Sequence, residues 1–202
     1  MKSKKLYSPA ANRNKEALFK ILQEQISSKA HILEIASGTG QHADYFSTQM
    51  PKWSWQASDT SREALESIKN YQRDSKRSNF LNPIELSTLD EKWNLPKFDA
   101  TLCCNMIHIS PWESCLGLFK HLKLYLKNHG KLILYGPFFR EEIETAPSNL
   151  EFDQSLKERN SLWGIRSLSE VEKVATQEEF KLIQFYEMPA NNLTVIFELY
   201  NS

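Results

Sequence analysis

Apolar residues recur along this chain in two alternating patterns, one spaced three to four residues apart and one of short dense runs, the signatures of helices and buried strands. Leu18, Ile21, Leu22 and Ile26 predict an amphipathic helix, and His31 to Ile35 a strand that runs into glycines. Tyr45 and Phe46 mark a helix ending before Pro51, and Trp53 to Ala57 a strand closing on Asp59. Thr60-Ser-Arg-Glu63 reads as a capping box opening a helix whose apolar face is Leu65, Ile68 and Tyr71. Alternation from Pro83 to Leu89 predicts a strand near Ile84 and Leu86, and Phe98 to Cys104 another. Ser110-Pro-Trp-Glu113 reads as a second capping box, followed by Leu116, Phe119, Leu122 and Leu126, with Gly130 ending the helix and Lys131 to Tyr135 the next strand.

Strands alternating with helices predict an α/β fold with a parallel sheet covered on both faces. The end of the chain departs from that rhythm. Ser167-Leu-Ser-Glu170 opens a helix through Val171 and Val174, and the apolar segments Phe180 to Phe185 and Thr194 to Leu199 follow. The link Tyr186 to Leu193 is too short for a helical crossover, so these two strands form an antiparallel hairpin. No internal repeat, low-complexity tract or linker interrupts the chain, and the expectation is one domain over residues 1–202, with residues 1–28 as an N-terminal arm and helix.

Composition narrows the function. A chain of 202 residues holds a core large enough to stand without disulfides. Its formal charge is balanced, with 25 Lys plus Arg against 25 Asp plus Glu, so nothing in it calls for nucleic acid or an anionic membrane. Cys103, Cys104 and Cys115 have no metal-ligand spacing and read as core residues of a reducing compartment, and no metal is expected. Early lysines without an apolar run, and no stretch of membrane-spanning length, set the expectation of a soluble, cytoplasmic protein.

The chemistry concentrates where the first strand meets Gly38 and Gly40, because a strand, a glycine turn and a helix present bare backbone to a nucleotide-like ligand. Two registers fit. Gly38-x-Gly40-x-x-Ala43 matches the dinucleotide fingerprint, whereas Glu34-x-Ala36-x-Gly38-x-Gly40 is the glycine loop of an S-adenosylmethionine enzyme with one Ala for Gly. Asp59 suits ribose hydroxyls in either case. Glu34 beside the loop repels a pyrophosphate and attracts a ligand carrying ammonium and sulfonium charges. Asp90 is placed to accept from an adenine amino group, and three carboxylates favour the cationic ligand. Without a ligand, Glu34 caps local backbone and Asp90 starts a turn.

Longer motifs add a resemblance. Ser8-Pro-Ala-Ala-Asn-Arg-Asn14, Leu33 to His42, Asn105-Met-Ile-His-Ile-Ser-Pro-Trp112, Leu134-Tyr-Gly-Pro-Phe138, Phe152-Asp-Gln-Ser-Leu156, Trp163-Gly-Ile-Arg166 and Met188-Pro-Ala-Asn-Asn-Leu193 together resemble the methyltransferase-like protein 26 family, within the class I S-adenosylmethionine-dependent methyltransferases. The resemblance implies a Rossmann-like, mostly parallel seven-stranded sheet with a C-terminal antiparallel hairpin. It implies methyl transfer with S-adenosylhomocysteine as product, and a cofactor set of Glu34, Ala36, Ser37, Gly38, Gly40, His42, Asp59, Leu89, Asp90, Asn105 and Met106. It carries over no acceptor. A small molecule is expected rather than nucleic acid, since no Asn-Pro-Pro-Tyr type motif for a flipped base is present.

Methyl transfer needs alignment more than side-chain chemistry, and a base only where the nucleophile is protonated. Asn105 and His108, after the fourth strand, are the catalytic candidates; His108 is either that base or an orienting residue for the helix at Ser110. His42 packs beside the cofactor or donates to backbone. Arg13 and Asn14 belong to an arm over the pocket or to ordinary helix capping. Arg159, Trp163 and Arg166 hold a carboxylate or phosphate of the substrate, or form a structural network. Tyr135 faces a sulfonium or fills the core, and Asn191, with Asn192, touches substrate or serves turn geometry. Two other functions remain open: an S-adenosylmethionine-binding regulator without catalysis, and a nicotinamide-dependent oxidoreductase.

Overall fold

The computed structural model describes residues 5–200, so the first four residues of the expected arm lie outside the described residues. The chain forms two compact units, one running to Ser87 and including Phe98–Cys103, the other made of Thr88–Lys97 and the chain from Cys104 onward.

The first unit opens with α1 (Pro9–Gln25), which starts where Ser8 Oγ accepts from the N–H of Ala11 and Pro9 occupies the first turn. Leu18, Ile21 and Leu22 form its buried face. Then follow β1 (Ala30–Ile35), α2 (Gln41–Gln49), β2 (Trp53–Asp59), α3 (Arg62–Ser75), β3 (Ile84–Glu85) and β4 (Phe98–Cys104). β1 pairs in parallel with β2 on one side and with β4 on the other, and β3 continues in parallel beyond β2. Both neighbours of β1 are therefore strands, which is why its residues are almost all buried. The cap of α3 is Ser61, one residue later than the capping-box reading: its Oγ accepts from Ala64, while Thr60 precedes it.

The second unit contains α4 (Trp112–Tyr125), β5 (Leu126–Gly136), β6 (Phe138–Phe139), α5 (Pro147–Arg159), β7 (Arg166–Ser167), α6 (Leu168–Gln177), β8 (Phe180–Met188) and β9 (Asn192–Leu199). Several local expectations are corrected here. Pro111, not Ser110, stands at the N-cap of α4; Ser110 Oγ donates instead to the carbonyl of Met106. The buried face of α4 is Cys115, Leu118, Phe119 and Leu122, and Leu116 points outward. The helix ends at Tyr125 because Leu126 turns extended, so Gly130 lies within β5 rather than at a helix end. β8 and β9 are antiparallel as expected, but only Pro189–Asn191 separates them, and β9 also pairs antiparallel with β5. Strand pairing gives a seven-stranded, mostly parallel sheet in the order β3-β2-β1-β4-β5-β9-β8, with β6 and β7 as a separate pair. Among the described residues no helix is long and apolar enough to cross a membrane.

Candidate functional site

In the first unit, β1 delivers the chain into a loop whose backbone turns left-handed at Ala36 (φ 54°), Gly38 (φ 56°) and Gly40 (φ 89°). Ala36 takes that conformation against its own Cβ, a local strain of about 1 kcal/mol that surrounding bonds must hold. Ser37 supplies them. Its N–H donates to the carbonyl of Ser58 at 2.8 Å, and its hydroxyl donates to Glu34 while accepting from the N–H of Ser58. The two glycines differ. A Cβ on Gly40 would lie 3.1 Å from Ile68, so Gly40 lets α2 and α3 approach, whereas a Cβ on Gly38 would meet nothing within 4 Å. The space over Gly38 is open to a ligand. Asp59, at the end of β2, accepts from the N–H of Gly38 through one oxygen and from Ser61 through the other, each at 2.9 Å. Each oxygen has two lone pairs, so both keep acceptor capacity for a hydroxyl.

Glu34 sits below this loop rather than on its surface. Its carboxyl is buried and accepts from the indole N–H of Trp55 at 2.9 Å, and burial pushes its pKa up to about 7. His42 Nδ1 faces the other carboxyl oxygen at 3.8 Å, beyond hydrogen-bond length, while Nε2 lies 2.7 Å from Oδ1 of Asn14. An amide oxygen only accepts, so Nε2 carries the proton and Nδ1 presents a lone pair toward Glu34. That arrangement favours a neutral carboxyl, and burial lowers the pKa of His42 to about 4. Glu34, expected beside the loop to attract a cationic ligand, is buried, and with its pKa near 7 it carries less than a full charge at neutral pH. Asn14, expected in an arm, closes this buried chain; Arg13, its neighbour, is exposed. The arm itself is fastened: Leu6 N–H donates to Ser67, Tyr71 donates to the carbonyl of Leu6, and Ser8 N–H donates to Gln41.

In the second unit, Asn105 adopts a left-handed conformation (φ 60°), and its N–H donates to the carbonyl of Tyr135 at 2.7 Å. A single turn from Met106 to His108 then buries His108 completely. The N–H of Arg166 donates to His108 Nδ1 at 3.2 Å, and the carbonyl of His108 accepts from Gly164. Gly136 leaves room for this corner, since a Cβ there would lie 2.7 Å from His108 Nε2 and 3.0 Å from Asn105 Oδ1. Burial, reinforced by the Arg166 charge, lowers the pKa of His108 to about 3. His108 is thus tied to the Gly164–Arg166 segment, not to the start of α4 as the orienting reading had it, and it is buried away from solvent. Arg166 likewise serves structure, donating to the carbonyls of Ile107, Ser110 and Leu162 and lying over Trp112. Arg159 lies over Trp163 separately.

The remaining candidates are also in the second unit. Leu89 is exposed, and Asp90 is anchored through its carbonyl by His121 Nε2 at 2.8 Å, with the His121 ring stacked on Trp93. Gly117 admits this segment onto α4, because a Cβ there would strike the carbonyl of Thr88. Tyr135 is buried in β5. Asn191 (φ 56°) occupies the hairpin tip, donates to Ser148 and accepts from Asn149. Sequence reasoning missed Trp55, Gly136, Gly117 and Arg140. Only Arg140 left a signal, a charge directly after the apolar run Leu132 to Phe139. Among the described residues no group of three or more His, Cys, Asp or Glu gathers as a metal site.

The strand order and the glycine loop define a Rossmann-like methyltransferase fold, and solved structures bear this out. A putative O-methyltransferase from Nostoc punctiforme superposes with a TM-score of 0.80 at 18% identity, over 94% of this chain and 56% of that one. CalO1, a methyltransferase in calicheamicin biosynthesis bound to S-adenosylhomocysteine, gives 0.77 at 13% identity, over 95% and 54%. Human N-acetylserotonin methyltransferase in complex with S-adenosylmethionine gives 0.75 at 13% identity, over 95% and 53%. This chain thus spans about half the length of these proteins, and the likeness is one of fold. The chain belongs to the DUF938 family of proteins of unknown function, whose model matches residues 5–199.

Proposed function

We propose that this protein is an S-adenosylmethionine-dependent methyltransferase acting on a small molecule. The observation that carries the reading is the pairing of open space over Gly38 with an Asp59 carboxylate that retains acceptor capacity at the end of the next strand. Together these fit a ligand that brings a ribose to β2 and needs close backbone approach at the loop. The resemblance to the methyltransferase-like protein 26 family and the fold of the neighbours support the same cofactor. When bound, S-adenosylmethionine supplies an activated methyl group, so this chain's residues have to orient and exclude water.

The loop Ala36, Ser37 and Gly38 holds the ligand through backbone, and Asp59 accepts from its hydroxyls. Glu34, His42 and Asn14 hold the loop from beneath and act on the ligand only through it. With its pKa raised to about 7, Glu34 carries less than a full charge near neutral pH, and the hydroxyl-accepting Asp59 becomes the principal recognition element. His108 has its Nδ1 lone pair engaged by Arg166 and no solvent access, so proton abstraction is not its task. The acceptor then is a nucleophile that needs no base from His108, such as an already ionised oxygen or a neutral amine. Formation of S-adenosylhomocysteine from S-adenosylmethionine with a panel of small phenols, acids and amines tests this. Turnover that is lost in Asp59→Ala supports the reading, and binding without any turnover across the panel favours the regulatory alternative.

A further inference from the structure

A cavity of about 110 Å3 opens in the second unit, lined by Phe138, Arg140, Glu144, Asn149, Glu187 and Asn191 among others. It lies well under the roughly 300–1,000 Å3 of sites that enclose drug-sized ligands, so it has room only for a small molecule. Three segments build it: the end of β6, the entry to α5 and the tip of the β8–β9 hairpin. The last two are clamped together, Asn149 Nδ2 donating to the carbonyl of Asn191 at 3.0 Å and Asn191 Nδ2 to Ser148 Oγ at 3.1 Å. That clamp holds Ala190 and Asn191 left-handed, at φ 60° and 56°, a conformation that an alanine keeps only where the surroundings impose it.

Arg140 is the unusual member of this wall. Its side chain is only 10% exposed and lies against the ring of Phe185, yet its partners are the carboxylates of Glu187 at 2.9 Å and Glu142 at 3.7 Å, which are 72% and 64% exposed. Arg166, in contrast, has its donors engaged by backbone carbonyls that cannot leave. A guanidinium this buried is costly to leave without a carboxylate, whereas Glu187 is 72% exposed and has room to move, so a ligand inserting between them must re-pair both. The guanidinium fork then offers itself to another carboxylate. A simple anion entering there would add negative charge beside Glu144 and the released Glu187. A molecule that also carries an ammonium group leaves the local charge unchanged.

We propose that this cavity binds a small zwitterion of the amino-acid type, its carboxylate on Arg140 and its ammonium on Glu187 and Glu144. The inference goes beyond methyl transfer and does not depend on it. It is tested by proton–nitrogen correlation spectra of the full chain titrated with L-alanine, propionate and ethylamine. L-Alanine is expected to give saturable shifts at residues 140–146 and 187–193, with propionate and ethylamine about tenfold weaker or more, the difference expected from one lost charge-assisted contact. Arg140→Lys is expected to weaken L-alanine binding by a similar factor. Glu187→Gln, a change on an exposed side chain that leaves folding intact, is expected to abolish the preference for L-alanine over propionate. Absence of saturable shifts with L-alanine, equal binding of propionate, or the same affinities in both variants would overturn the proposal.

Discussion

The backbone N–H of Arg166 donates to Nδ1 of His108 at 3.2 Å, and this contact decides which imidazole nitrogen carries the proton. With Nδ1 accepting, the neutral ring is protonated at Nε2, and protonating Nδ1 as well would break the bond inside a fully buried pocket. His108 is therefore expected to stay neutral down to about pH 3. The pH profile of S-adenosylhomocysteine formation should show no limb between pH 6 and 7 that vanishes in His108→Asn. His108→Ala, which strands the Arg166 N–H and opens a cavity, should destabilise the protein by about 2–4 kcal/mol in urea unfolding. A limb that His108→Asn removes would restore the base role.

Gly38 and Gly40 separate ligand binding from packing. Gly38→Ala places a methyl group in open space and adds about 1–2 kcal/mol of left-handed strain, while intruding where a ligand would approach. Gly40→Ala drives its Cβ against Ile68 at 3.1 Å and should cost stability through packing as well as strain. Thermal unfolding and cofactor titration on the two variants should rank them in opposite orders.

Buried Glu34 and His42 impose opposite pH dependences. Glu34 ionises near 4.5 when unfolded but near 7 in the fold, so its favourable contribution is complete below pH 4.5 and is lost as pH rises to 7. His42 moves from 6.5 down to about 4, so its contribution is complete above pH 6.5 and is lost as pH falls to 4. The two slopes oppose each other between pH 4.5 and 6.5. Glu34→Gln removes one of them, and stability should then rise more steeply with pH in that window, by up to about 1.4 kcal/mol per pH unit. Urea unfolding at several pH values reads this directly, and identical slopes would show that the carboxyl is ionised in the fold.

Gly117 lets the Thr88–Asp90 segment lie against α4. An alanine Cβ would sit 2.0 Å from the carbonyl of Thr88, which cannot move without disturbing the Asp90 to His121 bond and the Trp93 stack. Gly117→Ala should destabilise the protein by about 1–3 kcal/mol or shift the Thr88–Trp93 segment. Circular dichroism melts and tryptophan fluorescence check both outcomes.

Most of the architecture was legible because hydrophobic periodicity is local: β1, β2, β4 and the helices between them follow directly from runs and repeats in the sequence. Caps were harder, since Thr60 and Ser61 are both capping residue types and only backbone geometry chooses Ser61. Ser110 failed as a cap because the Met106 carbonyl competed for its hydroxyl. In the site, the glycines and Asp59 were legible because turn geometry constrains residue type. The Glu34 to Trp55 bond and the cavity around Arg140 were not, because they join residues distant in sequence through contacts that leave no local pattern.

The central claim is that the glycine loop and Asp59 bind S-adenosylmethionine. Calorimetric titration of the purified chain with S-adenosylmethionine, S-adenosylhomocysteine and NAD, repeated on Asp59→Ala, tests it most directly. The expected result is saturable binding of the two adenosyl-sulfur ligands, weakened about tenfold or more by the substitution as the hydroxyl contacts are lost. Binding of NAD alone, or no binding of any of the three, would contradict it.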